Sequence, residues 1–309
     1  MRALRLTKWQ HDPELLEVAD PDPGPGQVLV KVEAAGLNPV DWQIARGVMP
    51  GVPEVFPLVM GVDFAGRVES VGSGVVRFAV GDAVFGQHFP GGGFAEYVAV
   101  PEEGAIARAP ESIELKTAAA LPTAGMTALD ILEQAKVRGG ESLLLVGAAG
   151  GVGTFLTQLA SARDVRVIAV TRGDESVRMG LFGAAVTVDS TAESVLDRLE
   201  RDEYPEGVDV LVDLVSGDAE AFQANAAMVH DGGVALTTRH VTRSGDVRGV
   251  EDIEFELRAS ADLLESLAKE VDSGMLKVSV EAEVPLEQAP QAVARNRAGG
   301  ARGKTIIRP

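Results

Sequence analysis

The sequence contains no cysteine, and this absence removes several classes of site at once. No disulfide, no thiol nucleophile and no cysteine-ligated zinc site can form. The four histidines, His11, His88, His230 and His240, are scattered, and no two of them stand at a spacing typical of metal ligands. The sequence therefore predicts a protein that works without a bound metal.

Long apolar runs and positive charge are also scarce. No stretch approaches the roughly 18 apolar residues that a membrane-spanning helix needs, and the first residues, Met1 to Leu6, do not form a secretion signal. The chain has 28 Lys and Arg against 46 Asp and Glu, a formal net charge of −18. Such a surface repels nucleic acid and anionic lipid, so an anionic ligand has to bind at a site whose local charge is positive, an exception to the acidic surface. We expect a cytoplasmic protein with neither a membrane nor a nucleic-acid partner.

The length of 309 residues, with 46% apolar residues, predicts two domains. The first hundred residues contain short strand patterns separated by Pro/Gly-rich turns, which is typical of a small β domain. From Leu143 onward apolar strands alternate with helical patterns, and this alternation indicates a doubly wound parallel sheet of the Rossmann type. The last strand, Lys304 to Ile307, is expected to return to the first domain. The predicted domains are 1–119 with 260–309, and 120–259.

The most specific pattern lies between Leu143 and Gly153, where an apolar strand meets glycines spaced by three and opens a helix. Without side chains at Gly150 and Gly153 the backbone can approach a pyrophosphate, which the positive end of the helix attracts. A second strand, Val165 to Val170, completes the βαβ context that such a motif requires. The residues predicted to bind a dinucleotide here are Gly147, Ala148, Gly150, Gly151, Val152 and Gly153.

The choice of cofactor depends on the end of the second strand. An NAD-binding strand normally ends in an acid that holds the ribose hydroxyls. Here it ends in Thr171 and Arg172, a hydroxyl and a guanidinium suited to a 2′-phosphate. We therefore expect NADP(H). Two further strands end at the same edge of the sheet, where ligands bind in such folds, and they contribute the predicted contacts Val215, Ser216, Thr237 and Thr238.

A set of motifs distributed over almost the whole chain carries a family resemblance. They are Gly36 to Asp41, Gly61 to Gly66, Val80 to Val84, Gly93 to Val98, Ala118 to Pro122, Gly125 to Ala128, the glycine turn and Gly303-Lys304. Jointly they resemble the zinc-free quinone oxidoreductase branch, which includes zeta-crystallin-like enzymes, of the medium-chain dehydrogenase/reductase superfamily. The resemblance implies a mostly β, GroES-like catalytic domain beside the Rossmann domain. It also implies zinc-independent hydride transfer from NADPH to a quinone or an α,β-unsaturated carbonyl compound.

The resemblance also suggests catalytic and cofactor residues. In the zinc-dependent branch a cysteine stands where this chain has Asn38. The Asn38 amide can both donate and accept hydrogen bonds, which suits it to hold a nicotinamide or a substrate carbonyl. The alternative is that Asn38 only shapes a turn. Asp41 orients Asn38, binds substrate, or caps the helix containing Trp42 to Ala45. Thr127, taken as the start of the next long helix, is expected near the nicotinamide. Further cofactor contacts are expected from Arg178, from Ser190 (a tyrosine in relatives) and from Lys304.

Substrate contacts are expected from Trp42, Arg46 and His240. Trp42 falls where the family's substrate cleft begins, although single tryptophans often only fill a core. Arg46 steadies an anionic substrate or lies on the surface, and His240 protonates a reduced product or is an exposed loop residue. The family commonly forms homodimers through an edge strand of the nucleotide-binding sheet, and Ile253 to Leu257 is the candidate strand here. The residues are equally compatible with a monomer in which this edge is covered. A rival hypothesis is an NADPH-binding structural or regulatory protein with little catalysis.

Overall fold

The computed structural model describes residues 1–201, 204–241 and 249–309. The chain forms two compact units, Met1–Met126 with Ala259–Pro309, and Thr127–Arg258. The strands are β1 Arg2–Leu6, β2 Glu14–Glu17, β3 Gln27–Leu37, β4 Leu58–Val59, β5 Asp63–Val71, β6 Ala83–Gln87, β7 Tyr97–Pro101, β8 Ala105–Arg108, β9 Ser142–Val146, β10 Arg166–Thr171, β11 Val186–Asp189, β12 Val208–Asp213, β13 Val229–Thr237, β14 Glu251–Glu254, β15 Val280–Pro285 and β16 Lys304–Arg308.

The helices occur in both units. They are α1 Pro39–Arg46, α2 Leu115–Ala118, α3 Pro122–Gln134, α4 Gly151–Ser161, α5 Ser176–Leu181, α6 Val195–Arg201, α7 Ala219–Ala226, α8 Ala261–Asp272 and α9 Ala289–Ala298, which follows a 3₁₀ turn at Leu286–Gln288. Within the described ranges, no helix is long and apolar enough to cross a membrane.

The second unit is built on a six-stranded sheet in the order β11-β10-β9-β12-β13-β14, with every neighbouring pair parallel. Strand β9 is buried along its whole length, as a continuous apolar run in a parallel sheet covered on both faces requires. Side chains such as Leu144, Ile168 and Phe222 form the core of this unit. The prediction of a doubly wound parallel sheet is confirmed. The candidate dimer strand, predicted at Ile253 to Leu257, is observed two residues earlier as β14 (Glu251–Glu254), and it lies at the sheet edge.

The first unit contains a seven-stranded sheet, β15-β16-β3-β5-β6-β8 with β7 also paired to β3, and a small sheet β2-β1-β4. Strand β16 runs antiparallel to β3, with Ile306 opposite Gly36, so the last strand does return to the first unit as predicted. The strand patterns of β2, β4, β6 and β8 were not recognised in the sequence. These strands have five residues or fewer, too short for a periodicity to stand out.

Helix α1 contains Trp42 to Ala45, as predicted, whereas the start of α3 differs from the prediction. Helix α3 begins at Pro122, so Thr127 lies inside α3 instead of at its start. Proline is well tolerated in the first turn of a helix, where its missing N–H leaves no intrahelical bond unmade. Both helices therefore begin at a proline.

Candidate cofactor and active site

Three of the four glycines in the turn after β9 differ in how closely other atoms surround them. Gly147 has φ +89°, and a Cβ there would lie 2.6 Å from Cγ1 of Val215. Gly153 packs so closely that a Cβ would lie 2.5 Å from the carbonyl oxygens of Gly147 and Ala148. At Gly150, by contrast, a Cβ would meet only the carbonyl oxygen of Gly147, at 3.5 Å. The turn is therefore compact on its inner side and open at Gly150.

The open side of the turn carries backbone donors. Gly150 is the N-cap of α4, and no side chain caps the helix there. The N–H groups of Gly151, Val152 and Gly153 have no intrahelical acceptor, because the first turn of an α-helix lacks one. Since these dipoles also give the helix end a partial positive charge, the residues present fit a pyrophosphate. A side chain at Gly150 would fill the space that such a group needs.

The loop after β12 is fixed beside this turn by one buried carboxylate. Asp213 Oδ1 accepts the N–H groups of Val215 (3.0 Å) and Ser216 (2.9 Å), and its Oδ2 accepts the Ser216 hydroxyl at 2.7 Å. The carbonyl oxygen of Asp213 accepts the N–H of Thr238 at 3.3 Å, which ties in the end of β13. The structure thus brings the predicted contacts Val215, Ser216 and Thr238 together at the carboxyl edge of the sheet, next to the buried Thr237.

The residues predicted to select NADP(H) differ in whether their side chains already form hydrogen bonds within the protein. Thr171 is buried and its hydroxyl donates to the carbonyl oxygen of Gly173 at 2.9 Å, while the Ser190 hydroxyl donates to the carbonyl oxygen of Thr171 at 2.9 Å. Arg172 is exposed and has no hydrogen bond or ion pair with any described residue. Of these three side chains, only that of Arg172 has no partner among the residues that the structure describes.

Arg178 connects the helix after β10 to the glycine turn. Its Nη2 donates to the carbonyl oxygen of Ala149 at 3.0 Å, and its Nε donates to Glu175 Oε2 at 2.9 Å. The side chain of Glu175 is 8% exposed, so this ion pair is largely shielded from water. The guanidinium of Arg178 therefore lies against the turn, on the same strand-end edge that presents Arg172.

In the first unit the predicted catalytic residue Asn38 belongs to a buried polar network. Its Nδ2 donates to Asp63 Oδ2 at 2.8 Å and to the carbonyl oxygen of Gly36 at 3.3 Å, and its Oδ1 accepts from Lys304 Nζ. An ammonium only donates and a carboxylate only accepts, so the amide fits in one orientation. Both of its N–H groups point inward and Asn38 is 2% exposed. Asn38 has no N–H left for a substrate carbonyl.

Lys304 belongs to the same buried network as Asn38. Its ammonium is buried, donates to the carbonyl oxygen of Leu37 at 2.9 Å and lies 3.8 Å from Asp63 Oδ2. Burial lowers the pKa of Lys304 and raises the pKa of Asp63, because both lose the water that stabilises their charged forms. Cofactor binding by Lys304 stays a prediction, which this buried position does not support.

Asp41 occupies the third position of α1 and faces back toward its start. Its Oδ2 accepts the N–H of Asn38 at 2.7 Å and its Oδ1 accepts the N–H of Val62 at 3.1 Å. Burial raises the pKa of Asp41 to about 7, against the effect of the Asn38 hydrogen bond and with help from the negative charge of Asp63. Of the three roles considered from the sequence, capping and orienting Asn38 are the ones that these contacts describe.

The predicted substrate residues are not part of this network. Trp42 is partly buried against the core of the first unit, and Arg46 lies at the exposed end of α1. In the second unit His240 lies after β13 with a positive φ of 52°, its Nδ1 3.8 Å from Glu254 and its side chain 53% exposed. Thr127 is buried in α3. Their predicted roles remain predictions.

Sequence reasoning missed two acidic residues that organise these sites. Asp213 shapes the loop beside the glycine turn, and Asp63 holds both Asn38 and Thr123, whose hydroxyl donates to Asp63 Oδ1 at 2.5 Å. Asp213 directly follows the apolar run of β12, which is the one signal that pointed to it. Asp63 stands in a motif used for the family resemblance, but nothing local shows that its carboxylate is buried.

Comparison with known proteins gives the family. A model of the alcohol dehydrogenase GroES-like domain matches residues 24–111, and a model named zinc-binding dehydrogenase matches residues 182–307. A quinone oxidoreductase of Sus scrofa is 31% identical over 325 residues, covering 99% of this chain and 97% of the relative. The chain belongs to the quinone oxidoreductase branch of the medium-chain dehydrogenase/reductase superfamily. The resemblance and the GroES-like and Rossmann fold class predicted from the sequence are confirmed.

Other members of this superfamily indicate the range of its chemistry. A 2-methylene-furan-3-one reductase of Solanum lycopersicum is 33% identical over 307 residues, covering 94% of this chain and 74% of the relative. A mycobacterial protein solved in complex with NADPH superposes with a TM-score of 0.87 at 26% identity, over the full length of both chains. As a homologue of the quinone oxidoreductases, the chain studied here is an oxidoreductase, and its family depends on a nicotinamide dinucleotide.

The name of one matching family model refers to zinc, and the described part of the chain offers no group of side chains that could bind it. The sequence has no cysteine. No group of three His, Asp or Glu side chains that could hold a metal ion occurs among the residues that the structure describes. A metal-free reaction stays a prediction.

Proposed function

We propose that this protein is an NADPH-dependent, zinc-independent oxidoreductase that reduces quinones or α,β-unsaturated carbonyl compounds. The observation that carries the proposal is the glycine turn, with open backbone donors from Gly151 to Gly153 and no side chain at Gly150. These residues would hold the pyrophosphate of the dinucleotide. When bound, the reduced nicotinamide supplies a hydride to an electron-poor carbon.

Two guanidinium groups support NADPH over NADH. Arg172 is exposed without a protein partner among the described residues, and Arg178 lies against the carbonyl oxygen of Ala149. An arginine binds a phosphate with charge-assisted hydrogen bonds, whereas a ribose that lacks the 2′-phosphate offers neither charge nor a bidentate acceptor. Glu175, the nearby acid, is already paired with Arg178. The NADPH complex of the mycobacterial homologue agrees with this assignment.

The proposed acceptors are conjugated carbonyl compounds. Conjugated carbonyl groups are already activated for hydride attack, so they need no Lewis acid. The N–H groups of Asn38 are turned toward Asp63 and Gly36, so we assign Asn38 and Asp41 to holding the β3–α1 corner rather than to gripping the substrate. The relatives named for quinones and for a furanone with a conjugated methylene group support this class.

The test combines a binding and a turnover measurement. NADPH is titrated by its fluorescence, and steady-state rates are measured with a panel of quinones and enones. Gly150→Val should abolish NADPH binding, because its extended backbone accepts valine without strain while the side chain fills the pyrophosphate space. Gly180→Val, at an open position on α5, serves as the matched control. Binding without turnover on any acceptor would favour the rival hypothesis of a non-catalytic NADPH binder, and normal binding by Gly150→Val would refute the assigned turn.

A further inference from the structure

A groove in the first unit shares no lining residue with the glycine turn or with the Asn38 network. Its volume is about 410 Å³, within the range of small-molecule pockets. It is formed by the segment after β1 and by facing sides of α1 and α9. The lining residues are Gln10, His11, Asp12, Pro13, Trp42, Ala45, Arg46, Pro290, Gln291, Val293, Ala294 and Arg297.

The charges in this groove are opposite in sign to those of the whole chain. Arg46 and Arg297 are both exposed, and neither forms an ion pair or a hydrogen bond with a described residue. Asp12 is the one carboxylate in the lining, so with His11 neutral the groove carries a net charge of +1. The chain as a whole carries −18. The groove is therefore a local exception to the acidic surface, with two guanidinium groups available to an anion.

The walls of the groove contain an unsatisfied donor and a strained residue. The Nε1 of Trp42 is buried and has no hydrogen-bond acceptor among the described residues, a condition that destabilises the folded chain. Gln10 adopts a left-handed conformation with φ +64°, held by its N–H to the carbonyl oxygen of Ala45 at 2.8 Å. Residues in this conformation cluster at ligand sites when they are not glycine or asparagine.

We propose that this groove binds an organic carboxylate with an apolar body, either aromatic or aliphatic. Arg46 and Arg297 would hold the carboxylate, because the guanidinium fork matches its two oxygens. The apolar body would lie on the ring of Trp42 and against Pro290 and Val293. This site requires neither the assigned cofactor nor the assigned acceptor, so it does not depend on the proposed function.

Tryptophan fluorescence provides a direct test, since the chain has two tryptophans, Trp9 and Trp42. In a Trp9→Phe variant Trp42 is the sole reporter of the groove. Benzoate and octanoate are titrated as probes, with benzamide as a neutral molecule shaped like benzoate. We expect saturable changes in fluorescence for both carboxylates with Kd values of about 1 mM or tighter, and at least tenfold weaker binding of benzamide.

Matched variants connect the signal to the two arginines. Arg46→Gln with Arg297→Gln should weaken benzoate and octanoate at least tenfold. Arg295→Gln, two residues from Arg297 on the same exposed helix but outside the groove lining, should leave both affinities unchanged. Far-UV circular dichroism confirms that each variant is folded. Absence of a saturable response to either carboxylate, or equal affinity in the double variant, would overturn the proposal.

Two further measurements show that the site is separate. Benzoate binding should persist in Gly150→Val, where NADPH binding is expected to be lost. Benzoate should not compete with the quinone acceptor in steady-state kinetics. Strict competition with the quinone would show that the groove is the substrate site and would overturn its assignment as a second ligand site.

Discussion

Asp41 should make the stability of this protein fall as the pH rises through neutrality. Burial raises the pKa of Asp41 from 3.8 to about 7 in the folded chain. In the unfolded chain the carboxyl returns to its ordinary value, so between these two pH values the folded state holds more protons than the unfolded state. The free energy of unfolding therefore decreases with pH in that window, from its full value below pH 3.8 to its lowest above pH 7.

The size of this effect follows from the shift. A difference of about three pH units at 1.36 kcal/mol per unit amounts to about 4 kcal/mol across the window. The assay is urea unfolding at a series of pH values between about 4.5 and 8.5 for the wild type and Asp41→Asn. The variant loses this titration, so the difference between the two profiles isolates the contribution of Asp41 from those of other groups.

The absolute stability of the variant is a separate matter. Asparagine can accept one of the two backbone N–H bonds, from Asn38 or from Val62, but presents an N–H to the other. We expect a constant loss of about 1–3 kcal/mol from this mismatch, on which the loss of pH dependence is superimposed. Asp12→Asn, at an exposed position, controls for the removal of one negative charge. Parallel pH profiles for wild type and Asp41→Asn would show that Asp41 ionises normally and would refute the reasoning.

Three other substitutions test separate contacts. Arg172→Ala should weaken NADPH at least tenfold and leave NADH unchanged, as measured by fluorescence titration; equal losses for both cofactors would rule out the 2′-phosphate contact. Lys304→Met leaves the buried carboxylate of Asp63 without its cation, so the free energy of unfolding measured in urea should fall by about 3–5 kcal/mol. Adding Asp63→Asn should restore part of this loss. Arg258→Met removes hydrogen bonds to the 1%-exposed side chain of Asp130, and a loss of about 1–3 kcal/mol should appear as a lower Tm; an unchanged Tm would contradict it.

The second unit was largely predictable from local patterns. The buried apolar run of β9 and the glycines from Gly147 to Gly153 each impose a local backbone requirement, so strand, turn and helix could be placed from sequence alone. The structure then supplied the separate roles of the glycines, since only the packing shows that Gly153 is crowded and Gly150 open. The expected edge position of the strand near Ile253 also agrees with the observed sheet order.

The Asn38 network could not be predicted, because Asn38 meets Asp63 and Lys304, which lie far from it in the chain. Lys304 and Asn38 are separated by 266 residues, and no local pattern indicates that an ammonium and an amide meet there. Asp63 and Asp213 each look like ordinary solvated acids at strand ends until the fold shows that both are buried. Motif matching could name Asn38 as important, but the direction of its amide became evident only with its three partners in place.

The insertion of β16 between β15 and β3 has a consequence for the order of events during synthesis. The residues of β16 are translated after the whole of the second unit, so the ribosome releases a Rossmann unit that is complete while the larger sheet still lacks an inner strand. Until β16 arrives, the edge of β3 near Gly36 is unpaired and Asp63 lacks its counter-ion. We expect the nascent chain to acquire protease resistance first in the second unit, and chaperones to be needed most during the interval before β16 emerges.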